Sequence, residues 1–456
     1  MLGKVRHIHF VGIGGVGMSG LALILKNLGF IVSGSDIHHS PLIDALKMNN
    51  IEIYLKHNKR NIEGAEVVVY SSAIKKDNPE IRYAMEQGIP VIPRAEMLAE
   101  LMRMKFSIAV SGTHGKTTVT SLIATVLEEC DLNPTVVIGG KVVGTQSGAK
   151  LGKSEYLVAE ADESDRSFLL LYPTIAVVTN IEKEHLDCYT NLSEIKKAFV
   201  EFVNKIPFYG SAILCADCPN VRQILSKVKR NYITYGINNK AMVRATDIEL
   251  GRFSSKFTVQ YNGQVKNIKI NLAGLHNIQN ALAAICVGLK LELPLTKVAK
   301  ALSKFPGVHR RLEVRGEKQG IVVVDDYGHH PTEIKVTLQA LRNAYPSNRI
   351  IAIFQPHRYT RTQALANDFG YCFDLVDKLI VTRIYPASER PIPNVTARLI
   401  VEAIKRHNSK TEIFYKQNLK DIPDFLMKLI EPNDVIITLG AGNVWKVGEE
   451  ILSRMS

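Results

Sequence analysis

The stretch VSGTHGKTTVTS, residues 110–121, constrains this chain more than any other. A common phosphate-binding loop reads GxxxxGK[ST] and joins a strand to a helix. Here Gly115, Lys116 and Thr117 stand in place, but the position five before Gly115 is Val110 instead of glycine. The context is nevertheless right. SIAV, residues 107–110, reads as a buried strand, and TVTSLIATVLEEC has helical period. A loop in that position offers Gly112, Thr113, His114, Gly115 and Thr118 around an anion, with backbone N–H groups and a positive helix end directed at phosphate. Lys116 is then expected to reach the β- and γ-phosphates of a nucleotide, and Thr117 to hold Mg²⁺.

A second glycine turn opens the chain. VRHIHFV is an apolar strand, GIGGVG follows, and residues 16–28 are helical in pattern. Gly12, Gly14 and Gly17 satisfy GxGxxG, with Gly15 inside the turn, and Asp36 ends the next strand where an acid would meet a ribose. Ser71 and Ser72 close the strand EVVVYSSAI at the same rim. Taken alone, this module predicts an NAD-dependent oxidoreductase, or a tight turn with no ligand. The same segment has a basic start and an apolar run, but its glycines fit a strand–turn–helix better than a signal peptide. No window has eighteen uninterrupted apolar residues, so no membrane insertion is expected.

Further along, YLVAEADESD ends in Glu160, Asp162, Glu163 and Asp165, oxygen donors suited to a hard cation beside a phosphate loop. His185 follows in the acidic loop of NIEKEHLD, where a lone histidine is more often structural. His276, Asn277 and Asn280 lie in the first turns of the helix begun by GLHNIQN, and read as capping groups or as readers of an adenine edge. From Arg310 onward, IVVVDDYGHHP, IIAIFQPHRYTR, KLIVTRIYPASE and DVIITLGAGNVW are four apolar strands alternating with helices, the pattern of another open α/β domain. By the crevice rule Asp325, Asp326, Tyr327, His329, Arg358 and Arg361 share one rim, where the arginines suit a carboxylate or phosphate.

With 456 residues, 46% apolar, the chain exceeds one ordinary core, and three domains are expected. The net charge of +13 raises the possibility of nucleic acid, but lysine and arginine are scattered without an aromatic-interleaved stripe, so an anionic small substrate is the better reading. Six cysteines lie apart save for CADC, which lacks a second pair for zinc, and are expected reduced in a cytoplasmic protein.

GIGGVGMSG, GTHGKTT, AEADESD, NIEKEHLD, GLHNIQN, HRRLE, DDYGHHPTE, QPHRYTR and LGAGN occur in that order and together closely resemble the Mur ligases of peptidoglycan synthesis. The resemblance spans essentially the whole chain. It implies an α/β fold of three domains: a Rossmann-like N-terminal domain (1–104) for a UDP-sugar, a central P-loop-type ATPase domain (105–309), and a Rossmann-like C-terminal domain (310–456) that closes on ATP and binds the amino acid. The family's loop has the form GTxGK[ST], which makes Val110 normal, and its first domain holds UDP in place of NAD. The alanine-adding branch is the nearest in pattern, implying ATP and Mg²⁺ as cofactors, UDP-N-acetylmuramate and L-alanine as partners, and a monomer or homodimer. A branch that recycles an intact tripeptide is the alternative. Carried over motif by motif, Lys116 and Thr117 grip ATP and Mg²⁺, while Glu160 and His185 match metal-site ligands. His276, Asn277 and Asn280 match the adenine side, and Arg311 and Asp326 match residues by which the third domain closes on ATP. Tyr327, His329, Arg358 and Arg361 resemble the amino-acid end of the site, with His329 as a proton acceptor.

Overall fold

Strands buried on both faces are written as unbroken apolar runs, and three groups of them organise the molecule. The computed structural model describes residues 3–71, 73–139, 149–185, 188–238, 240–387, 389–407 and 410–455. These form two compact units, one of Met1–Asp247, Phe257–Ile270 and Gln279–Pro306, the other of Ile248–Lys256, Asn271–Ile278 and Gly307–Ser456.

The first sheet has five strands in the order Glu52–Tyr54, Ile31–Ser35, His7–Val11, Val67–Tyr70, Val91–Pro93. All its pairings are parallel. This doubly wound order reverses direction beside His7–Val11, so the turn that follows it and the end of Val67–Tyr70 flank the crevice where such sheets take ligands.

The second sheet has ten strands, in the order Gln264–Ile270, Ser255–Tyr261, Val243–Leu250, Tyr232–Gly236, Ser211–Cys215, Ile175–Val178, Phe106–Ser111, Tyr156–Glu160, Thr135–Val137, Ala149–Lys150. Phe106–Ser111 lies between Ile175–Val178 and Tyr156–Glu160, parallel to both. The loop after Phe106–Ser111 is therefore flanked by Thr179 and Asn180 on one side and by Glu160 on the other. One apolar core joins the first two sheets, running from Phe10, Leu21 and Leu98 to Leu157, Phe168 and Phe199. That shared core explains why both sheets fall in one unit.

The third sheet, in the second unit, has the order Glu313–Lys318, Ile321–Asp326, Val435–Leu439, Ile350–Phe354, Lys378–Val381, Glu412–Tyr415. Val322 and Val324 enter one core, Ile321 and Val323 the other, and the period-two alternation repeats in Ile350–Phe354. All six cysteines are free. No helix among the described residues is long and apolar enough to cross a membrane.

Candidate active site

Val110 is fully buried inside the strand Phe106–Ser111, opposite Val177 and Glu160, so glycine has no task there. The sharp step comes two residues later. Gly112 has φ +134°, and a Cβ on it would collide with Thr179 Oγ1. The loop is then fixed from the neighbouring strand end: Asn180 accepts from Thr113 N through its carbonyl (3.1 Å) and from His114 N through its side chain (2.8 Å). Thr179 Oγ1 donates to the His114 carbonyl at 2.6 Å, and Glu182 N donates to Thr113 Oγ1 at 2.9 Å. Gly115 caps the helix Lys116–Glu129 in the left-handed region. This preorganises the loop with Lys116 and Thr117 on the helix's first turn.

Lys116 Nζ donates to Gly112 O (2.7 Å), Thr113 O (3.4 Å) and Glu163 Oε1 (2.8 Å). Desolvation pulls the ammonium's pKa down, but Glu163, Asp162 and Glu160 outweigh it and hold the pKa above its ordinary range. Glu163 is 2% exposed, and its Oε2 is buried without a hydrogen-bond partner. Tyr189 Oη donates to the Glu163 carbonyl at 2.7 Å and fixes that stretch of chain. His185, at φ +56°, sets Nε2 3.3 Å from the Glu163 oxygen that Lys116 holds. Sequence reasoning grouped Glu163 with three other carboxylates, and nothing in AEADESD marks it as the lysine's partner. Nor does anything mark Asn180 as the brace of the loop.

The first glycine turn faces the same space. A cavity of about 200 Å³ is lined by Gly15, Gly17 and Arg94 on one side and by Lys116, Glu160 and Asp162 on another. Arg94, which sequence reasoning passed over, starts the helix Arg94–Arg103, and a Cβ on Gly17 would lie 3.1 Å from its Nη1. Gly12 adjoins Ser71, with 3.2 Å between a Gly12 Cβ and the serine's own. Asp36 accepts from Gly14 N (2.9 Å) and His38 N (3.0 Å), so both its oxygens brace the turn. Ser72 lies outside the described residues. Asn280, buried in the same unit, places Oδ1 2.8 Å from where a Gly115 Cβ would sit.

In the second unit, Asp326 ends its strand buried, accepting from Leu312 N and Gly328 N at 2.7 Å each. Burial lifts its carboxyl to about 6 against the opposing pull of Arg311. The Arg311 guanidinium lies 5.3 Å from the Tyr327 ring. His276 is pushed down to about 4 by burial and by Arg311. Asn277 donates to Ala273 O at 2.8 Å, a local backbone cap. His329 stands edge-on to Tyr327 and 5.4 Å from the His357 ring, which stacks on Tyr385. Arg361 Nη1 lies 3.1 Å from His357 Nδ1. Arg358 caps the helix Tyr359–Phe369 at φ +70°, and its Nε is buried without a hydrogen-bond partner. A non-glycine residue held in that region beside an unmet guanidinium N–H is the kind of strain that accompanies ligand sites.

Three family models cover nearly the whole chain: Mur ligase family, catalytic domain, at residues 7–106; Mur ligase middle domain at 110–288; and Mur ligase, glutamate ligase domain, at 310–442. The UDP-N-acetylmuramate–L-alanine ligase of Trichlorobacter lovleyi is 50% identical over 457 residues, covering 100% of each chain. That of Desulfatibacillum aliphaticivorans is 51% identical over 457 residues, again with 100% of each covered. The crystal structure of UDP-N-acetylmuramate–alanine ligase from Thermotoga maritima superposes with a TM-score of 0.82 at 29% identity, covering 99% of each chain. With ordered motifs, three matched domains and relatives aligned end to end, the chain belongs to the Mur ligase family.

Proposed function

We propose that this chain is an ATP-dependent ligase that joins L-alanine to the lactyl carboxylate of UDP-N-acetylmuramate, a step of peptidoglycan precursor synthesis carried out in the cytoplasm. The observation that carries the reading is the cavity walled by Gly15 and Gly17 on one side and by Lys116 and Glu160 on another. A turn suited to a diphosphate and a loop suited to ATP open on one space, as transfer of phosphate to a sugar-linked acid requires. Full-length relatives that carry the alanine ligase name support alanine as the amine. Six free thiols suit a reducing compartment.

The chemistry follows from the acid. A carboxylate will not condense with an amine at neutral pH, because oxide is a poor leaving group. In-line attack of the lactyl carboxylate on the γ-phosphate gives an acyl phosphate and ADP. Lys116 and the amides of the 112–115 loop stabilise the charge that develops on the transferred group. Thr117, Glu160 and Glu163, whose Oε2 is unpartnered, are the oxygen donors that would hold Mg²⁺, and His185 adjoins Glu163. When bound there, Mg²⁺ would neutralise phosphate charge. Arg358 and Arg361 hold the alanine carboxylate, and His329 takes the ammonium proton so that the amine can attack the acyl carbon. Phosphate then leaves the tetrahedral intermediate. Arg311, Asp326, His276, Asn277 and Asn280 are assigned to ATP, and Gly12, Gly14, Asp36, Ser71 and Tyr327 to the two organic substrates.

The test is phosphate release from ATP in the presence of UDP-N-acetylmuramate with L-alanine, glycine, L-serine or tripeptide as the amine. L-Alanine should give the highest kcat/KM, and oxygen-18 in the lactyl carboxylate should pass into inorganic phosphate. A preference for tripeptide would move the chain to the recycling branch. Label retained wholly in the sugar product would exclude the acyl phosphate.

A further inference from the structure

Lys116 carries three N–H donors, and all three are spent on the protein: two on carbonyls of its own loop and one on Glu163. An ammonium so engaged has none left for a nucleotide. Of the three contacts, the one to Glu163 is charge-assisted and the hardest to give up. Glu163 is 2% exposed, so withdrawal of the lysine leaves a buried carboxylate without its cation. Its second oxygen already lacks a hydrogen-bond partner. Any movement of Lys116 onto phosphate therefore calls for another cation at Glu163.

Resting on the nucleotide-binding role of Lys116, we propose that Glu163 is a positioning residue that latches Lys116 back on its own loop until a divalent cation arriving with the nucleotide takes the lysine's place. Glu163 thereby makes productive nucleotide binding conditional on the metal. Metal-free ATP meets a lysine held by its latch and a wall that also carries Glu160 and Asp162. His185 Nε2 lies 3.3 Å from the same oxygen.

The experiment is calorimetric binding of the β,γ-imido analogue of ATP to the full chain, with Mg²⁺ and with chelator. The readout is the ratio of the two dissociation constants. In Glu163→Gln the ratio should shrink at least about tenfold, or 1.4 kcal/mol, chiefly through tighter metal-free binding. In a Lys116→Met background the same Glu163→Gln change should move metal-free binding less than about twofold, because the latch has nothing to hold. An unchanged ratio in Glu163→Gln overturns the proposal. Equal tightening of metal-free binding in the Lys116→Met background also overturns it, since plain repulsion of phosphate by Glu163 would then account for everything. UDP binding and the thermal midpoint report whether each variant is folded. If Glu163→Gln does not fold, Glu163→Asp, which draws the carboxylate back by one methylene, must narrow the ratio in the same direction, and an unmoved ratio there counts against the latch. Absence of nucleotide binding in the unaltered chain would instead remove the functional reading beneath it.

Discussion

Single side chains carry the sharpest consequences. Lys116 is the one cation among the residues of the loop and its helix's first turn, and its charge is upheld by three acids, so no neighbour can replace it. Lys116→Ala should lower phosphate release by about a hundred- to a thousandfold while leaving UDP binding intact, as checked by steady-state assay beside calorimetry. Asp326 offers a test of a different kind. Its carboxyl, with an ordinary value of 3.8, is raised to about 6 by burial, so the folded state keeps a proton that the unfolded chain releases. Its contribution therefore falls as pH rises from about 4 to 6, by about 3 kcal/mol in all, and stays low above that. Denaturant midpoints should show the stability of the unaltered chain declining relative to Asp326→Asn across that window. A flat difference between the two would show that burial does not set the proton's affinity.

At the scale of elements, strand ends are joined by buried polar contacts that the apolar runs do not announce. Arg310, at φ +60°, donates its Nε to Asp325 at 2.8 Å and one N–H from each of Nη1 and Nη2 to the carbonyls of Gly442 and Gly440. Asp325, 1% exposed, also accepts from Thr438 Oγ1. The guanidinium thus holds the glycine-rich end of Val435–Leu439 against Ile321–Asp326. Arg310→Ala strands a buried carboxylate and should cost about 3–5 kcal/mol. Adding Asp325→Asn should return part of that loss, and chemical denaturation of the single and double variants measures the coupling. In HRRLE the two arginines look alike. The first is consumed by this ion pair, whereas the second faces Tyr327 and His276. Only the register of the turn separates them. The loop after Phe106–Ser111 gives the same lesson, since its rigidity comes from Thr179 and Asn180, more than sixty residues away in the chain.

For the molecule as a whole, a net charge of +13 spread over the surface favours substrates that bring several negative charges each. Added salt should raise KM for the UDP-sugar several-fold while kcat changes by less than about twofold, because screening acts on encounter from beyond about 8 Å and hardly on contacts already formed. A salt-dependent kcat would place the electrostatics in the chemical step instead. The sequence alone determined the α/β class with its buried strands, the two glycine turns and the phosphate-loop helix, because apolar run length, glycine placement and helical period are local properties of a chain. Tertiary structure decided which charges meet: Glu163 with Lys116, Arg94 beside Gly17, Asp36 with the amide of Gly14, Arg310 with Asp325. A carboxylate's partner is fixed by strand order and by the depth at which each side chain is buried. Neither is written in the residues beside it.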